Sequence, residues 1–167
     1  IDLDNFKGIN DSIGHECGDG VLCEVAKRWK AVLKDDEFIA RQGGDEFIII
    51  IRNYEDEEYV KNRMGEFLDA LSDEMVIMNN CFFASASFGV ACFPIHASDS
   101  ENLFRYADMA MYQAKISKTD KIKLFDISMV APVENEYMYD RLIRSNLQND
   151  SFEGDDGYGI LVVHAYK

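Results

Sequence analysis

Residues 38–51 read Phe-Ile-Ala-Arg-Gln-Gly-Gly-Asp-Glu-Phe-Ile-Ile-Ile-Ile, and no other stretch restricts the fold as much. Phe38, Ile39, Phe47 and the isoleucines from Ile48 to Ile51 are aromatic or β-branched, side chains that suit a pleated, packed surface. Gly43-Gly44 between the two runs predicts a tight hairpin turn, because such turns use backbone angles that strain other residues. Asp45 and Glu46 follow at once. A hairpin gains nothing from adjacent carboxylates at the start of a core strand. Two acidic groups fixed at a rigid turn suit a divalent cation, which takes hard oxygen ligands.

A second acidic position opens the chain. Ile1-Asp2-Leu3-Asp4 alternates apolar and acidic residues, as a strand does where it ends at a site. If that strand lies beside the hairpin, Asp2 shares a cation with Asp45. Taken alone, Asp2 reads equally well as a solvated strand end.

Composition narrows the function. The 167 residues are enough for one domain with a proper core, and a hydrophobic content of 47% fits a globular chain. A formal charge of −14 argues against a nucleic-acid partner, whose phosphates would be repelled. An anionic nucleotide would need local help, from a metal or from placed lysines. Cys17, Cys23, Cys81 and Cys92 form no C-x-x-C pair and read as reduced, mostly buried thiols of a cytoplasmic protein. The longest apolar stretch, 81–95, is short and broken by serines, so no membrane contact is expected.

The rest of the chain alternates helix and strand. Residues 6–13 read as a short helix and 14–20 as a loop, with Asp19 capping a helix whose apolar stripe runs from Val21 to Leu33. The acidic run 53–58 opens a second long helix, carried on by Val60, Met64, Phe67 and Leu71. Residues 81–93 read as one strand, stopped by Pro94. Ser98 and Glu101 resemble a capping box in front of a helix lined by Leu103, Ala107, Ala110, Met111 and Ala114. Residues 122–125 form a closing strand. Helices that cross between strands return them in the same direction, while the hairpin adds an antiparallel partner. The expectation is an α+β palm over 1–127. Residues 128–167 stand apart, with a helix over 134–147, an acidic, glycine-rich loop, and a strand over 160–165.

Four motifs in order carry a family resemblance: Asp2-Leu3-Asp4-Asn5-Phe6-Lys7-Gly8-Ile9-Asn10-Asp11, then Gly14-His15-Glu16-Cys17-Gly18-Asp19, then Gly43-Gly44-Asp45-Glu46-Phe47, and Tyr106 to Lys115. Together they resemble the GGDEF family of diguanylate cyclases over about residues 1–127. The resemblance implies the mixed central sheet of nucleotidyl cyclases and polymerase palms, flanked by helices, with the signature on a β-hairpin. It implies condensation of two GTP into cyclic di-GMP, with two Mg²⁺ or Mn²⁺ ions at each GTP-bound half-site and a homodimer for turnover.

It also distributes roles. Asp2, the Leu3 carbonyl and Asp45 are the implied metal ligands, and Asp45 and Glu46 the catalytic pair. Asn10 and Asp19 are implied to read the guanine edge, with His15 in the same loop, although Asp19 reads equally as a helix cap and His15 as a structural histidine. Backbone amides at Phe6 and Lys7, the Gly43-Gly44 turn and Lys115 are implied to hold GTP; Lys115 alone would be an ordinary cation near a helix C-terminus. The first strand lacks the apolar run that usually precedes such an end. A longer protein is therefore expected, with a sensory domain upstream and a membrane anchor compatible with it. The tail resembles, weakly, the linker and first strand of an EAL phosphodiesterase domain, without that domain's Glu-x-Leu signature.

The sequence departs from the family pattern in two places. Lys118-Thr119-Asp120 stands where Gly-Arg-Asn is usual, so Thr119 replaces a phosphate arginine whose planar fork threonine cannot reproduce. Lys118 or Lys121 would have to supply the charge, and weaker GTP binding or turnover is expected. Lys34-Asp35-Asp36-Glu37 stands where many relatives carry an Arg-x-x-Asp product-inhibition site. With Lys34 and Glu37 at its ends, that site is degenerate and tight binding of cyclic di-GMP is not expected.

Overall fold

The hairpin follows from its composition. In the computed structural model, which describes residues 1–130 and the strand 160–163, β2 (Glu37–Gly43) and β3 (Glu46–Arg52) pair antiparallel. Gly44 takes the left-handed angle at the turn, φ 55°, and the register slips between Arg41 and Gly43. Beside β3 lies β1 (Asp2–Leu3), with Asp2 opposite Glu46. On its other edge β1 pairs with β6 (Ala86–Cys92), which sets Asp2 opposite Ser87. β7 (Ile122–Leu124) closes the far edge. The remaining described strand, β8 (Ile160–Val163), pairs with β3 and with β6.

The crossing helices do return strands in the same direction, β1 with β2, β3 with β6 and β6 with β7. Only β6 and β7 are neighbours. In the other pairs an antiparallel strand lies between, so the sheet is mostly antiparallel. The strand expected over 81–93 divides in two. β4 (Met75–Ile77) and β5 (Asn80–Phe82) form a small hairpin of their own, turned at Met78 and Asn79 with φ 51° and 64°. Two successive positive angles match the twist of a two-residue hairpin.

Strand alternation sorts the core into two layers. Phe47, Ile49 and Ile51 of β3, with Phe88 and Val90 of β6, face α1 (Phe6–Ile13), α2 (His15–Val32) and α3 (Glu57–Asp69). Trp29 binds that layer together: it packs edge-on against Phe47 and Phe88, and its indole N–H donates to the Phe67 carbonyl at 2.8 Å. Ile48 and Ala91 face the opposite side, under α4 (Ser100–Ile116). There α4 lies directly on the strand: a Cβ on Gly89 would stand 2.0 Å from the Ala107 carbonyl.

Two caps differ from expectation. α2 begins at His15, so Asp19 lies inside it rather than at its start. Gly18 explains the continuation. A side chain there would collide with Asn10, so the helix keeps its glycine to pack closely on α1. Before α4 the cap is Asp99, whose carboxylate accepts from the Asn102 amide at 2.8 Å, rather than Ser98. Asp56 caps α3 in the same way, as the acidic run suggested. Cys17 and Cys92 are buried but Cys23 and Cys81 are exposed, so burial holds for half the thiols. The helix expected over 134–147 lies outside the described residues. No helix among the described residues is long and apolar enough to cross a membrane.

Candidate active site

The alternation Ile1-Asp2-Leu3 has a direct structural consequence. Ile1 and Leu3 enter the core beneath α1–α3, so Asp2 must face the other way, toward α4. Its cross-strand neighbours Glu46 and Ser87 project from the same face. Asp45 stands at the turn, where its carbonyl accepts from the Leu3 amide at 3.3 Å. The opening strand and the glycine turn therefore lie side by side, and Asp2, Asp45 and Glu46 act on one another electrostatically.

These carboxylates are short of cations. Asp2 is 1% exposed, and Lys115 reaches across from α4 to place Nζ 2.8 Å from both carboxylate oxygens. Burial nevertheless pushes Asp2 up to about 6; Lys115 opposes the rise and the charge of Asp45 adds to it. Glu46 goes up to about 7, through burial first and then the repulsion of Asp45 and Asp2. Excess negative charge on hard oxygens is what a divalent ion relieves. Among the described residues no three His, Cys, Asp or Glu side chains converge as a ready-made cage. The donor set of Asp2, Asp45 and the Leu3 carbonyl fits an ion that completes its shell with substrate or water, the habit of Mg²⁺.

Asp4 lies on the same side. It accepts from the Ser87 hydroxyl at 2.8 Å and pairs with Lys121 at 3.1 Å. Sequence reasoning left Lys118 and Lys121 as equal substitutes for the arginine replaced by Thr119. The fold brings Lys121 to the acidic strand, whereas Lys118 and Thr119 are exposed in the turn after α4. Nothing local in the sequence marks that contact, since Asp4 and Lys121 meet only through the pairing of β1, β6 and β7.

The candidate guanine readers sit at the α1–α2 junction. Asn10 lies in the last turn of α1, where its Oδ1 is buried against Gly18 with no hydrogen-bond partner among the described residues. A buried acceptor left open is costly, so a site that supplies a donor there recovers that cost. Asp19 follows Gly18 on α2, and His15 opens that helix; both are exposed. Phe6 and Lys7 form the first turn of α1, whose Asn5 cap makes no side-chain hydrogen bond, so the turn's amides can face an anion.

Residues 34–37 make contacts of their own. Glu37 is buried and held on both carboxylate oxygens by Arg63 of α3, which also bonds Glu66 and the Val32 carbonyl. Lys34 bonds the Tyr59 hydroxyl at 3.2 Å. Arg63 went unnoticed in the sequence because it falls on the buried side of a helix otherwise read from its apolar residues.

The comparisons with known proteins agree with this architecture. The model of the diguanylate cyclase GGDEF domain family matches residues 1–121. The chain belongs to the GGDEF domain family. It is 35% identical over 160 residues to the signaling protein YkoW of Bacillus subtilis, covering 91% of this chain and 19% of that protein. It is 35% identical over 150 residues to the cyclic di-GMP phosphodiesterase PdeR of Escherichia coli, covering 90% of this chain and 22% of that one. The crystal structure of the GGDEF domain of TpbB from Pseudomonas aeruginosa superposes with a TM-score of 0.72 at 31% identity, covering 75% of this chain and 78% of that one. The chain thus spans about a fifth of the curated relatives quoted.

Proposed function

We propose that this domain is a diguanylate cyclase half-site, which binds one GTP and, in a transient homodimer, joins it to the GTP of a second copy as cyclic di-GMP. The observation that carries the reading is the buried Asp2 beside Asp45 and Glu46, three carboxylates with Lys115 on only one of them. In the reaction each 3′-hydroxyl forms a bond to the α-phosphorus of the facing nucleotide, and the bond to pyrophosphate breaks. Bound Mg²⁺ or Mn²⁺, two per half-site, would supply charge neutralisation at the α-phosphate and the departing pyrophosphate. Asp2, Asp45 and the Leu3 carbonyl would hold it. The Asp45 carboxylate takes the proton from the 3′-hydroxyl, and Glu46 completes the catalytic pair.

Asn10 and Asp19 orient guanine, while His15 lies at the same junction. The amides at Phe6 and Lys7, the Gly43-Gly44 turn and Lys115 position the phosphates. Because Lys115 grips Asp2 in the free domain, binding releases it toward the triphosphate. In the longer protein we place the domain in the cytoplasm, below a sensory segment and beside an EAL phosphodiesterase domain.

Incubating concentrated protein with GTP and Mg²⁺ or Mn²⁺ tests the reading. Wild type forms cyclic di-GMP, and Asp45→Ala lowers turnover by at least about 100-fold. An equal rate in the two proteins removes Asp45 from the chemistry.

A second reading is favoured by Thr119 and by the relative PdeR, a cyclic di-GMP phosphodiesterase. In it the domain binds GTP with little or no turnover and regulates its phosphodiesterase neighbour. Product formation from GTP separates the two, and Thr119→Arg tests whether the missing arginine weakens the site. Restoring the planar fork raises GTP affinity and rate by about tenfold if the phosphate subsite is otherwise intact. A variant that binds GTP no better shows that the arginine was not what the site lacked. Calorimetry with cyclic di-GMP is expected to find no sub-micromolar site at Lys34–Glu37.

A further inference from the structure

The chain turns from β1 into α1 at Asp4 and Asn5, between groups that the proposed site uses on either side: the Leu3 carbonyl, and the amides of Phe6 and Lys7. Asn5 holds a left-handed angle, φ 57°, which persists in a residue other than glycine when the surroundings impose it. Its side chain does not cap α1. It lies over Gly8 instead, where a Cβ would stand 2.4 Å from its Oδ1.

Asp4 supplies the restraint. Its amide donates to the Ser85 carbonyl at 2.8 Å, and its Oδ1 accepts from the Ser87 hydroxyl at 2.8 Å. Its Oδ2 is buried and meets the Lys121 ammonium at 3.1 Å. Lys121 is itself tied down, since its carbonyl accepts from the Phe88 amide at 2.7 Å just ahead of β7. The starts of two parallel strands, β6 and β7, thus close on one carboxylate.

This contact differs from the one at Lys115. When Lys115 leaves Asp2, a bound metal ion would take its place. Asp4 is not among the residues proposed to hold a metal, so an ammonium that left it would abandon a buried carboxylate oxygen. Lys121 is therefore a poor stand-in for the arginine that Thr119 replaces.

We propose that Lys121 is a positioning residue. It stays on Asp4 when nucleotide binds, and through Asp4 it sets the turn that aims the Leu3 carbonyl and the amides of Phe6 and Lys7. The proposal rests on the cyclase reading for what that turn holds.

Two measurements on the full chain test it. The first is hydrogen exchange without metal or nucleotide. The amides of Asp4 and Ile9 bond the Ser85 and Asn5 carbonyls on either side of the turn. Lys121→Met should speed their exchange by about tenfold while Phe47 and Phe125 stay protected, which shows that the sheet is intact. Lys121→Arg, which keeps the charge, should restore the slow rates. The second is calorimetry in Mn²⁺ with 3′-deoxy-GTP and 3′-deoxy-GDP, which lack the attacking hydroxyl. Lys121→Met should weaken both by the same factor, about tenfold, as loss of a supporting residue does. A loss confined to the triphosphate would mean that Lys121 grips the terminal phosphate, and would overturn the proposal. Unchanged exchange at Asp4 and Ile9, in a wild type that binds the nucleotide, overturns it alone. A wild type that binds neither nucleotide overturns the cyclase reading and this proposal together.

Discussion

Glu37 and Glu46 open the two strands of one hairpin, and the fold treats them in opposite ways. Burial pushes both upward. At Glu37 the bonds from Arg63 and from the Lys34 amide outweigh burial and hold the carboxylate below its usual range. At Glu46 no guanidinium among the described residues answers, and Asp45 and Asp2 push it further, to about 7. A buried charge with a complete set of partners is a structural device; one left among like charges is kept for something that arrives later. The same contrast separates the two sites the family pattern suggests. At the first position Arg63 holds both oxygens of Glu37; at the second, Lys115 is paired with Asp2.

The sharpest way to break this comparison is Arg63→Ala. It abandons Glu37 without its counter-charge, and the loss should be on the order of 3–5 kcal/mol, a fall of about 10 °C in Tm. Urea titration measures it, and a midpoint close to wild type would mean that the pair carries no stability.

Glu46→Gln should act in the opposite direction and less strongly. The folded state holds the Glu46 proton more tightly than the unfolded chain, so this contribution is present at acid pH and is lost as pH rises from about 4.5 through about 7. The amide escapes that loss. After solvent screening the variant should gain about 1 kcal/mol at pH near 8 and nothing near pH 4. Melts at the two pH values that shift equally would show that repulsion at Glu46 is not released.

The smallest effect concerns the lysine. Lys115→Met removes the ammonium that competes for Asp2, so Mn²⁺ affinity without nucleotide should rise by roughly threefold, a change of about 0.7 kcal/mol, within the range for partly exposed ion pairs. GTP affinity should fall in the same variant. Calorimetry that finds Mn²⁺ binding weakened instead would make Lys115 a support of the site rather than a competitor.

Much of the candidate site was legible before any coordinates, because its signals are local. The isoleucine run, the paired glycines and the carboxylates after them occupy consecutive positions, and a hairpin is the structure that consecutive positions decide. Helices announced by apolar spacing were equally readable. Asp19 was misplaced because the cue for a helix start, an aspartate before an apolar stripe, competes with a close helix–helix approach at Gly18 that only packing reveals. The division of 81–93 was hidden because Met78 is an unusual residue at a positive φ. Arg63 was missed, and Lys121 could not be told from Lys118, for one reason: each acquires its contact from a partner far away in sequence, Glu37 and Asp4.

The order of residues alone determined most of the elements, the two-sided alternation of the central strands and the presence of each acidic motif, since each depends on spacing within a few residues. Tertiary structure decided which carboxylates receive a counter-charge and which strand fills the space between β3 and β6. Those outcomes turn on long-range register and burial, and both come into being only when distant segments share one sheet.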